Sequence, residues 1–309
     1  MTPSLFSQLQ QQYQHLDGVD VVLGRGDLPE LHIVNRFCRA EISLLGGQVL
    51  SFQRAGDEHP LLFISDDAFF QLGKGIKGGA PVCWPWFGDD PEGRGAHGFA
   101  RSAMWEVAAI TTDDCGVIQV DMTLPQSVFE DHPEWPFAST LKTSIRLGKW
   151  LSISLETTNS SDHDMPLTQA LHTYFCVADA TRVKVLGLES SSYLDKVVDF
   201  ARVDASGAPI LVGGEVDRIY DNNVGNITLV DSLWQRSISI TSQGSGSAIV
   251  WNPWVSKAKA MADFGDDEYQ RMICIETANA ADDKRVLAPG QTHVMSVEYR
   301  ISSSIITTP

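Results

Sequence analysis

The chain has 309 residues, of which 43% are hydrophobic and 20% are charged, and its mean hydropathy is -0.08. A chain of this length and composition can bury a sizeable core, which excludes an intrinsically disordered protein. The 23 Lys and Arg residues against 39 Asp and Glu residues give a formal net charge of -16. This charge argues against general binding to nucleic acid or to an anionic membrane, because both are negatively charged.

An amino-terminal helix is predicted over residues 4–16, where apolar residues recur at near-helical spacing and Ser4 is placed to cap the first turn. Beyond it, alternating or β-branched runs predict strands at 31–34, 40–44, 48–52, 117–124, 141–147, 151–157, 181–186, 237–241, 248–251, 272–276 and 294–301. Glycines indicate turns at 46–47, 148–149 and 244–246, and two further segments, 66–72 and 261–269, have a helical pattern.

Many short strands and few helices predict a mainly β protein with antiparallel sheets. The chain shows no internal repeat, no long linker and no shift in composition that would divide it. We therefore expect one catalytic domain over residues 1–309, with residues 1–20 as an amino-terminal helix or extension.

The cysteines are five in number, widely spaced and without a C-x-x-C motif, so neither a disulfide framework nor a thiolate zinc site is expected. The amino terminus lacks the basic and apolar regions of a signal peptide. The longest uncharged run, residues 237–256, is too polar to span a bilayer. We expect a cytoplasmic, soluble protein with no membrane partner, and a monomer is compatible with the sequence.

Residues 77–101, KGGAPVCWPWFGDDPEGRGAHGFAR, form a segment with almost no strand alternation. It is either a long surface loop anchored by aromatic residues or a functional loop on a rigid β scaffold. Its basic residues could meet an anionic ligand: Lys77, Arg94, His97 and Arg101. Its aromatic residues could supply an apolar wall for a sugar ring: Trp84, Trp86 and Phe87.

Two titratable residues lie in otherwise apolar segments. His172 in LTQALHTYFCV is either a hydrogen-bonded core histidine or a general acid with a carboxylate partner. Glu276 in ICIETANA shares one strand face with Cys274, and it is either that partner or a glutamate at a solvated strand end. Asp217 in VDRIY is open to a functional role or to a surface pair with Arg218.

Several familiar catalytic motifs do not occur in the sequence. It has no H-x-H or H-E-x-x-H pair for a metal, no G-x-S-x-G nucleophile motif, no P-loop and no G-x-G-x-x-G that opens a helix after a strand. These observations favour a mechanism that uses neither a metal nor an organic cofactor.

Seven motifs in chain order carry a family resemblance: KGGAPVCWPWFG, AHGFAR, ALHTYF, VDRIY, AIVWNPW, DFGDDEY and ICIETANA. Over roughly residues 25–300 the chain resembles the hexose-6-phosphate mutarotases, the glucose-6-phosphate 1-epimerase branch of the aldose 1-epimerase superfamily. The resemblance implies a single-domain β-supersandwich of large stacked antiparallel sheets, with the sugar site on an open concave face.

The resemblance also implies roles for individual residues. His172 matches the family's catalytic histidine and Glu276 its catalytic glutamate. His97 matches a histidine that contacts the substrate, Asp217 an aspartate that binds the sugar, and Arg101 an arginine near the phosphate. No cofactor and no metal is implied, and the implied partner is a small sugar phosphate.

Lys77 departs from the family pattern, which commonly has arginine before the Gly-Gly pair. A lysine can meet phosphate as a point charge but cannot make the bidentate contact of a guanidinium group. The implied reaction is interconversion of the α and β anomers of hexose 6-phosphates, especially glucose 6-phosphate. An epimerase for unphosphorylated aldoses and a non-catalytic sugar-binding or regulatory protein remain as alternatives, although a binding protein needs no matched acid and base.

Overall fold

Antiparallel β-strands are the main regular structure of the protein. A computed structural model describes residues 5–90, 92–221 and 225–303. The strands are β1 (Val19–Leu23), β2 (Pro29–Val34), β3 (Cys38–Ser43), β4 (Gln48–Arg54), β5 (Val82–Cys83), β6 (Glu106–Thr112), β7 (Ile118–Thr123), β8 (Ser139–Leu147), β9 (Leu151–Asn159), β10 (Met165–Leu167), β11 (Gln169–Leu171), β12 (Tyr174–Cys176), β13 (Val183–Leu186), β14 (Tyr193–Asp195), β15 (Ala201–Val203), β16 (Val216–Tyr220), β17 (Asn226–Asp231), β18 (Arg236–Gln243), β19 (Ser247–Asn252), β20 (Met272–Asn279), β21 (Arg285–Leu287) and β22 (Thr292–Ser302).

Two large sheets organise these strands. The front sheet has the order β15-β14-β16-β19-β20-β11-β5, and β12 also pairs with β20. The back sheet has the order β13-β17-β18-β22-β9-β8-β7-β6. A four-stranded sheet, β1-β2-β3-β4, and the β10-β21 pair complete the set. The antiparallel β architecture expected from the sequence is confirmed.

The main core lies between the front and back sheets. Val250 and Ile275 of the front sheet belong to one apolar cluster with Ile153 and Val297 of the back sheet. Cys274 belongs instead to a second cluster on the opposite face of the front sheet. Alternation along β20 is therefore as the sequence predicts, and it places Glu276 on the same face as Cys274, away from the main core.

The helices are α1 (Leu5–Tyr13), α2 (Gln126–Glu130) and α3 (Trp254–Ala260). Helix α1 confirms the amino-terminal helix, but the expected cap, Ser4, lies outside the described residues. The expected helix at 66–72 is wrong: the segment forms turns, and Leu72 is 62% exposed, so no continuous apolar face is buried there.

The expected helix at 261–269 is also wrong. Helix α3 ends before it, and only a short 3₁₀ turn, Glu268–Arg271, follows. The intervening segment contains several Asp residues and Gly265, which favour turns and caps over helix interiors. Among the described residues, no helix is long and apolar enough to cross a membrane.

Candidate active site

Strand register brings two carboxylates to one face of the front sheet. Asp217 on β16 lies opposite Trp251 on β19, and Ile249 on β19 lies opposite Glu276 on β20. Directly opposed residues of antiparallel strands share a face, and so do residues two apart along one strand. Asp217 and Glu276 therefore point to the same side although they belong to distant parts of the sequence.

His172 reaches this side because the chain leaves the sheet for two residues. Both β11 and β12 pair with β20, and His172 and Thr173 lie between them. The Thr173 hydroxyl forms a 2.7 Å hydrogen bond with the hydroxyl of Tyr299 on the back sheet. The His172 ring lies on the front face, where its Nε2 is 3.3 Å from Oε1 of Glu276.

This pair is almost completely buried: Glu276 is 2% and His172 is 9% exposed. Within the described residues, the buried atoms Nδ1 of His172 and Oε2 of Glu276 have no hydrogen-bond partner. Unsatisfied buried polar atoms cost free energy and are rare, so a pair of them in one site points to a functional role.

Burial controls the ionisation of the pair. Desolvation raises the pKa of Glu276 well above its usual value; the nearby Asp217 carboxylate raises it further, and Lys196 acts in the opposite direction. Desolvation lowers the pKa of His172 well below its usual value, and Lys77 and Arg101 add to this effect. Both groups are thereby favoured in their uncharged forms, with one proton held by the pair.

A cleft opens over these residues and has two connected parts. The inner cavity, of about 290 Å³, is lined by Glu276 and Asp217 among others. The outer cavity, of about 390 Å³, is lined by Asp263 and Lys74 among others. Four residues line both parts: Lys77, Arg101, His172 and Tyr174.

Two of the expected basic residues stand where the two cavities meet. The ammonium nitrogen of Lys77 lies 3.7 Å from Oδ2 of Asp263, and Arg101 donates a 2.9 Å hydrogen bond to the carbonyl of Ala96. Both cations lie close enough to His172 to lower its pKa. They give a strongly acidic protein a local positive region inside its cleft.

His97 lines the inner cavity in a left-handed backbone conformation, with φ 65°. Its ring centroid is 5.6 Å from that of His172, and its Nδ1 accepts a 3.4 Å hydrogen bond from the amide of Gly88. Burial lowers the pKa of His97 well below the usual value. The uncharged imidazole can donate a hydrogen bond from Nε2 to a neutral hydroxyl group.

Asp217 is only 6% exposed and does not form the surface pair with Arg218 that the sequence left open. The side chain of Arg218 bonds to Asp195 instead, at 3.4 Å. Two lysines approach the Asp217 carboxylate: Nζ of Lys196 at 3.1 Å and Nζ of Lys257 at 3.7 Å. Asp217 is therefore a buried acceptor that faces two lysines inside the cleft.

Other expectations for residues 77–101 need correction. Arg94 lines neither cavity and pairs with Asp90 at 2.7 Å. Trp84 is fully buried, with its indole nitrogen bonded to Thr157, and so it belongs to the core. The indole of Trp86 donates to the carbonyl of Gly95, and only Phe87 of the three aromatic residues lines the inner cavity.

Several lining residues escaped sequence reasoning, among them Tyr174, Lys196, Trp251 and Lys257. Tyr174 stacks on His172 with ring centroids 4.9 Å apart, and Trp251 meets the same ring edge-on. Their places depend on strand pairing, which a single sequence does not display. Among the described residues, no group of three or more His, Cys, Asp or Glu side chains could hold a metal ion.

Comparison with known proteins gives consistent matches over most of the chain. A family model for aldose 1-epimerase matches residues 29–300. A protein from Cenchrus ciliaris named "Putative glucose-6-phosphate 1-epimerase" is 37% identical over 264 residues, which cover 83% of this chain and 79% of the relative. A protein of the same name from Escherichia coli K12 is 34% identical over 283 residues, which cover 90% and 94% of the two chains.

Solved structures are similar as well. The crystal structure of a putative mutarotase from Salmonella typhimurium superposes with a TM-score of 0.85 and 26% identity, covering 96% of this chain and 99% of that one. The shared fold therefore extends over nearly the whole of both chains.

Proposed function

The chain belongs to the aldose 1-epimerase family, and we propose that it interconverts the α and β anomers of hexose 6-phosphates, glucose 6-phosphate in particular, without a cofactor. The observation that carries this proposal is the buried pair of His172 Nε2 and Glu276 Oε1, 3.3 Å apart. The pair lies beside a cleft whose lining includes the cations Lys77 and Arg101. A matched acid and base is what reversible opening of a hemiacetal ring requires.

Ring opening needs two proton transfers. Glu276, as carboxylate, takes the proton of the anomeric hydroxyl, and His172, as imidazolium, gives its proton to the ring oxygen. The bond between C1 and the ring oxygen breaks, leaving an open-chain aldehyde. Rotation about the C1–C2 bond and closure from the other face, with both transfers reversed, produce the other anomer. Each transfer to or from a positioned group contributes about 10²–10⁴-fold.

The pair must hold one proton for this chemistry. With the proton on His172 and Glu276 ionised, the pair has the charges that the first step uses. Burial favours the uncharged arrangement, with the same proton on Glu276. The two arrangements differ by one proton shift between atoms 3.3 Å apart, so the charged form is reached without exchange with solvent.

The remaining cleft residues have binding roles in this proposal. Asp217 accepts hydrogen bonds from sugar hydroxyls, and Trp251 offers an apolar surface beside the ring. Because Nδ1 of His97 accepts from Gly88, its Nε2 donates a hydrogen bond to a sugar hydroxyl oxygen. Lys77 and Arg101 contact the 6-phosphate, with the outer cavity as its place. All of these groups come from one chain, which supports one catalytic domain without requiring an oligomer.

We place this reaction in the cytoplasm. The five cysteines are free, and three of them, Cys38, Cys83 and Cys274, are buried. Burial raises the pKa of the Cys38 thiol to about 12, which keeps it protonated and unreactive. Unpaired cysteines are compatible with a reducing compartment.

One observation favours a second candidate, an epimerase for unphosphorylated aldoses. The Asp263 carboxylate lies 3.7 Å from Lys77 in the outer cavity, where the 6-phosphate would bind, and Lys77 cannot make a bidentate contact. A neutral hydroxymethyl group would not be repelled by Asp263.

The proposal is tested by measuring the rate of anomer exchange with NMR. The substrates are glucose 6-phosphate, glucose and galactose, at equal enzyme concentration. We expect the highest kcat/KM for glucose 6-phosphate and no loss of activity in EDTA. A higher kcat/KM for a free aldose would favour the second candidate. Binding without exchange of any of the three sugars would make the protein a sugar-binding protein, and loss in EDTA that a divalent ion restores would overturn the cofactor-free mechanism.

A further inference from the structure

Lys196 lies at the tip of the hairpin formed by β14 and β15, on the edge of the front sheet. It begins a 3₁₀ turn, Lys196–Val198, in which the Asp195 side chain accepts a 3.1 Å hydrogen bond from the amide of Val197. Asp199 and Phe200 follow in left-handed conformations, with φ 54° and 58°, and return the chain to β15. The conformation of the tip is therefore set by its own backbone as well as by the contacts of Lys196.

The hairpin directs Lys196 into the inner cavity. Strand β14 pairs with β16, the strand that carries Asp217. Nζ of Lys196 lies 3.1 Å from Oδ2 of Asp217, and the lysine side chain is 24% exposed. Lys196 lines the inner cavity together with His172 and Glu276.

The charges around Glu276 come from three neighbouring elements. Asp217 on β16 disfavours its ionised form, whereas Lys196 at the hairpin tip favours it. His172 lies between β11 and β12, 3.3 Å away. Tyr174 on β12 and the thiols of Cys83 on β5 and Cys274 on β20 also lie close, but burial raises the pKa of each and keeps them uncharged. Lys196 is thus the cation that opposes Asp217 at Glu276.

The other cations of the cleft are placed differently. Lys77 and Arg101 act on His172, where they oppose its protonation, and Lys196 acts on His172 in the same direction but more weakly than either. Lys257 lies farther from Asp217, at 3.7 Å, has its own partner in Glu215 at 3.0 Å, and is 42% exposed. A solvated lysine that shares two carboxylates contributes little field at a buried group.

We propose that Lys196 is a positioning residue of the reaction. Its ammonium group holds the Asp217 carboxylate in the sugar site, and its positive charge stabilises ionised Glu276 when the proton shared by Glu276 and His172 moves to His172. This inference rests on the proposed function. Without Lys196, the buried Asp217 carboxylate would repel the charge that Glu276 needs in order to act as a base.

Four variants separate this role from a general loss of charge. Lys196→Met removes the ammonium group and keeps much of the side-chain volume, and Lys196→Arg restores a cation. Lys257→Met removes the outer partner of Asp217. Lys142→Met makes the same change of net charge at an exposed pair with Glu156, where both side chains are about half exposed, 55% and 42%.

The rate of anomer exchange is measured for each variant from pH 4 to pH 10. Removal of a positive charge raises the proton affinity of both His172 and Glu276, so Lys196→Met should move both limbs of the pH profile to higher pH. Lys196 is the cation that acts on Glu276 but the weakest of three that act on His172, so its removal should affect Glu276 more. The kcat at the optimum should therefore fall about tenfold, because the arrangement with ionised Glu276 and protonated His172 becomes rarer. Lys196→Arg should restore most of the wild-type kcat and most of the wild-type limb positions. Lys142→Met should leave both limbs in place.

Titration of the Glu276 side-chain carboxyl by ¹³C NMR supplies a readout independent of turnover, with the signal assigned from its absence in Glu276→Gln. The Glu276 pKa should rise in Lys196→Met. An unchanged carboxyl titration, unmoved limbs, or an equal or larger shift in Lys257→Met would overturn the inference. Absence of anomer exchange by the wild-type protein on any sugar would instead defeat the proposed function, so the two failures are distinct.

Discussion

Lys77 and Asp263 face each other in the outer cavity, with Nζ and Oδ2 3.7 Å apart. The two side chains are about equally buried, 21% and 23% exposed. A phosphate that approaches Lys77 is attracted by the positive charge of the lysine and is repelled by the negative charge of Asp263. In a chain of net charge -16, recognition of a dianionic sugar phosphate must depend on such short-range contacts, because the long-range field is repulsive.

The balance between these two residues gives a prediction about phosphate preference. Charged hydrogen bonds are worth ~1.5–3 kcal/mol each, which corresponds to ~10–150-fold in affinity. Lys77→Ala or Arg101→Ala should therefore raise KM for glucose 6-phosphate by about that factor and change KM for glucose much less. Lys77→Arg should hold or improve the preference, and Asp263→Asn should improve it. The quantity to measure is the ratio of kcat/KM for glucose 6-phosphate to that for glucose.

A ratio that neither alanine variant lowers would show that these cations do not contact phosphate. The epimerase for unphosphorylated aldoses would then be the better account. A fall in the ratio for Asp263→Asn would contradict the repulsive role of that carboxylate.

A second prediction concerns the pH dependence of the rate. Activity requires one proton on the pair of His172 and Glu276, so the profile should be bell-shaped. Burial lowers the pKa of His172, which moves the acid limb below pH 6.5, and raises the pKa of Glu276, which moves the alkaline limb upward from its usual range. His172→Asn should lose about 10²–10⁴-fold in kcat at neutral pH. A flat profile from pH 5 to pH 9 would be incompatible with this pair.

A third prediction links the site to folding stability. The folded-state pKa of Glu276 is raised by burial, so its contribution to stability is fully present below the unfolded pKa, near 4.5, and is lost as pH rises through the folded pKa. Glutamine does not titrate. As the pH rises from 4.5 to 8, the calorimetric Tm of Glu276→Gln should therefore increase relative to the Tm of the wild type. A Tm difference that stays constant with pH would show that Glu276 ionises as readily in the folded state as in the unfolded one.

The sequence predicted the parts of the fold that depend on local patterns. Alternation in β8, β9 and β22 and the glycine-containing turn at 148–149 are properties of short segments, and the structure confirms them. Alternation on β20 also placed Glu276 and Cys274 on one face. The helical pattern at 66–72 failed because the surrounding structure leaves Leu72 exposed instead of burying one helical face.

Local sequence patterns do not predict the geometry of the site. Asp217 and Glu276 share a face because β19 lies between their strands, and no single segment carries that register. Lys196 had no local signal, since a lysine in a short turn is usually a solvated surface residue. Composition allows Trp84 to form an apolar wall at the ligand, but the residue packs in the core beside Phe99, with ring centroids 5.5 Å apart. Residue patterns leave the pairing of His172 with Glu276 as one of two interpretations, and the family motifs favour it.

The central claim is that the buried pair of His172 and Glu276 exchanges protons with a sugar ring. Its most direct test is two-dimensional exchange NMR on glucose 6-phosphate with wild-type protein and with Glu276→Gln, which keeps the shape of the side chain and removes the base. Far-UV circular dichroism on both proteins confirms equal folding. The account predicts exchange cross-peaks between the α and β anomers for the wild type and a rate lower by about 10²–10⁴-fold for the variant. A near wild-type exchange rate in Glu276→Gln would remove Glu276 from the mechanism.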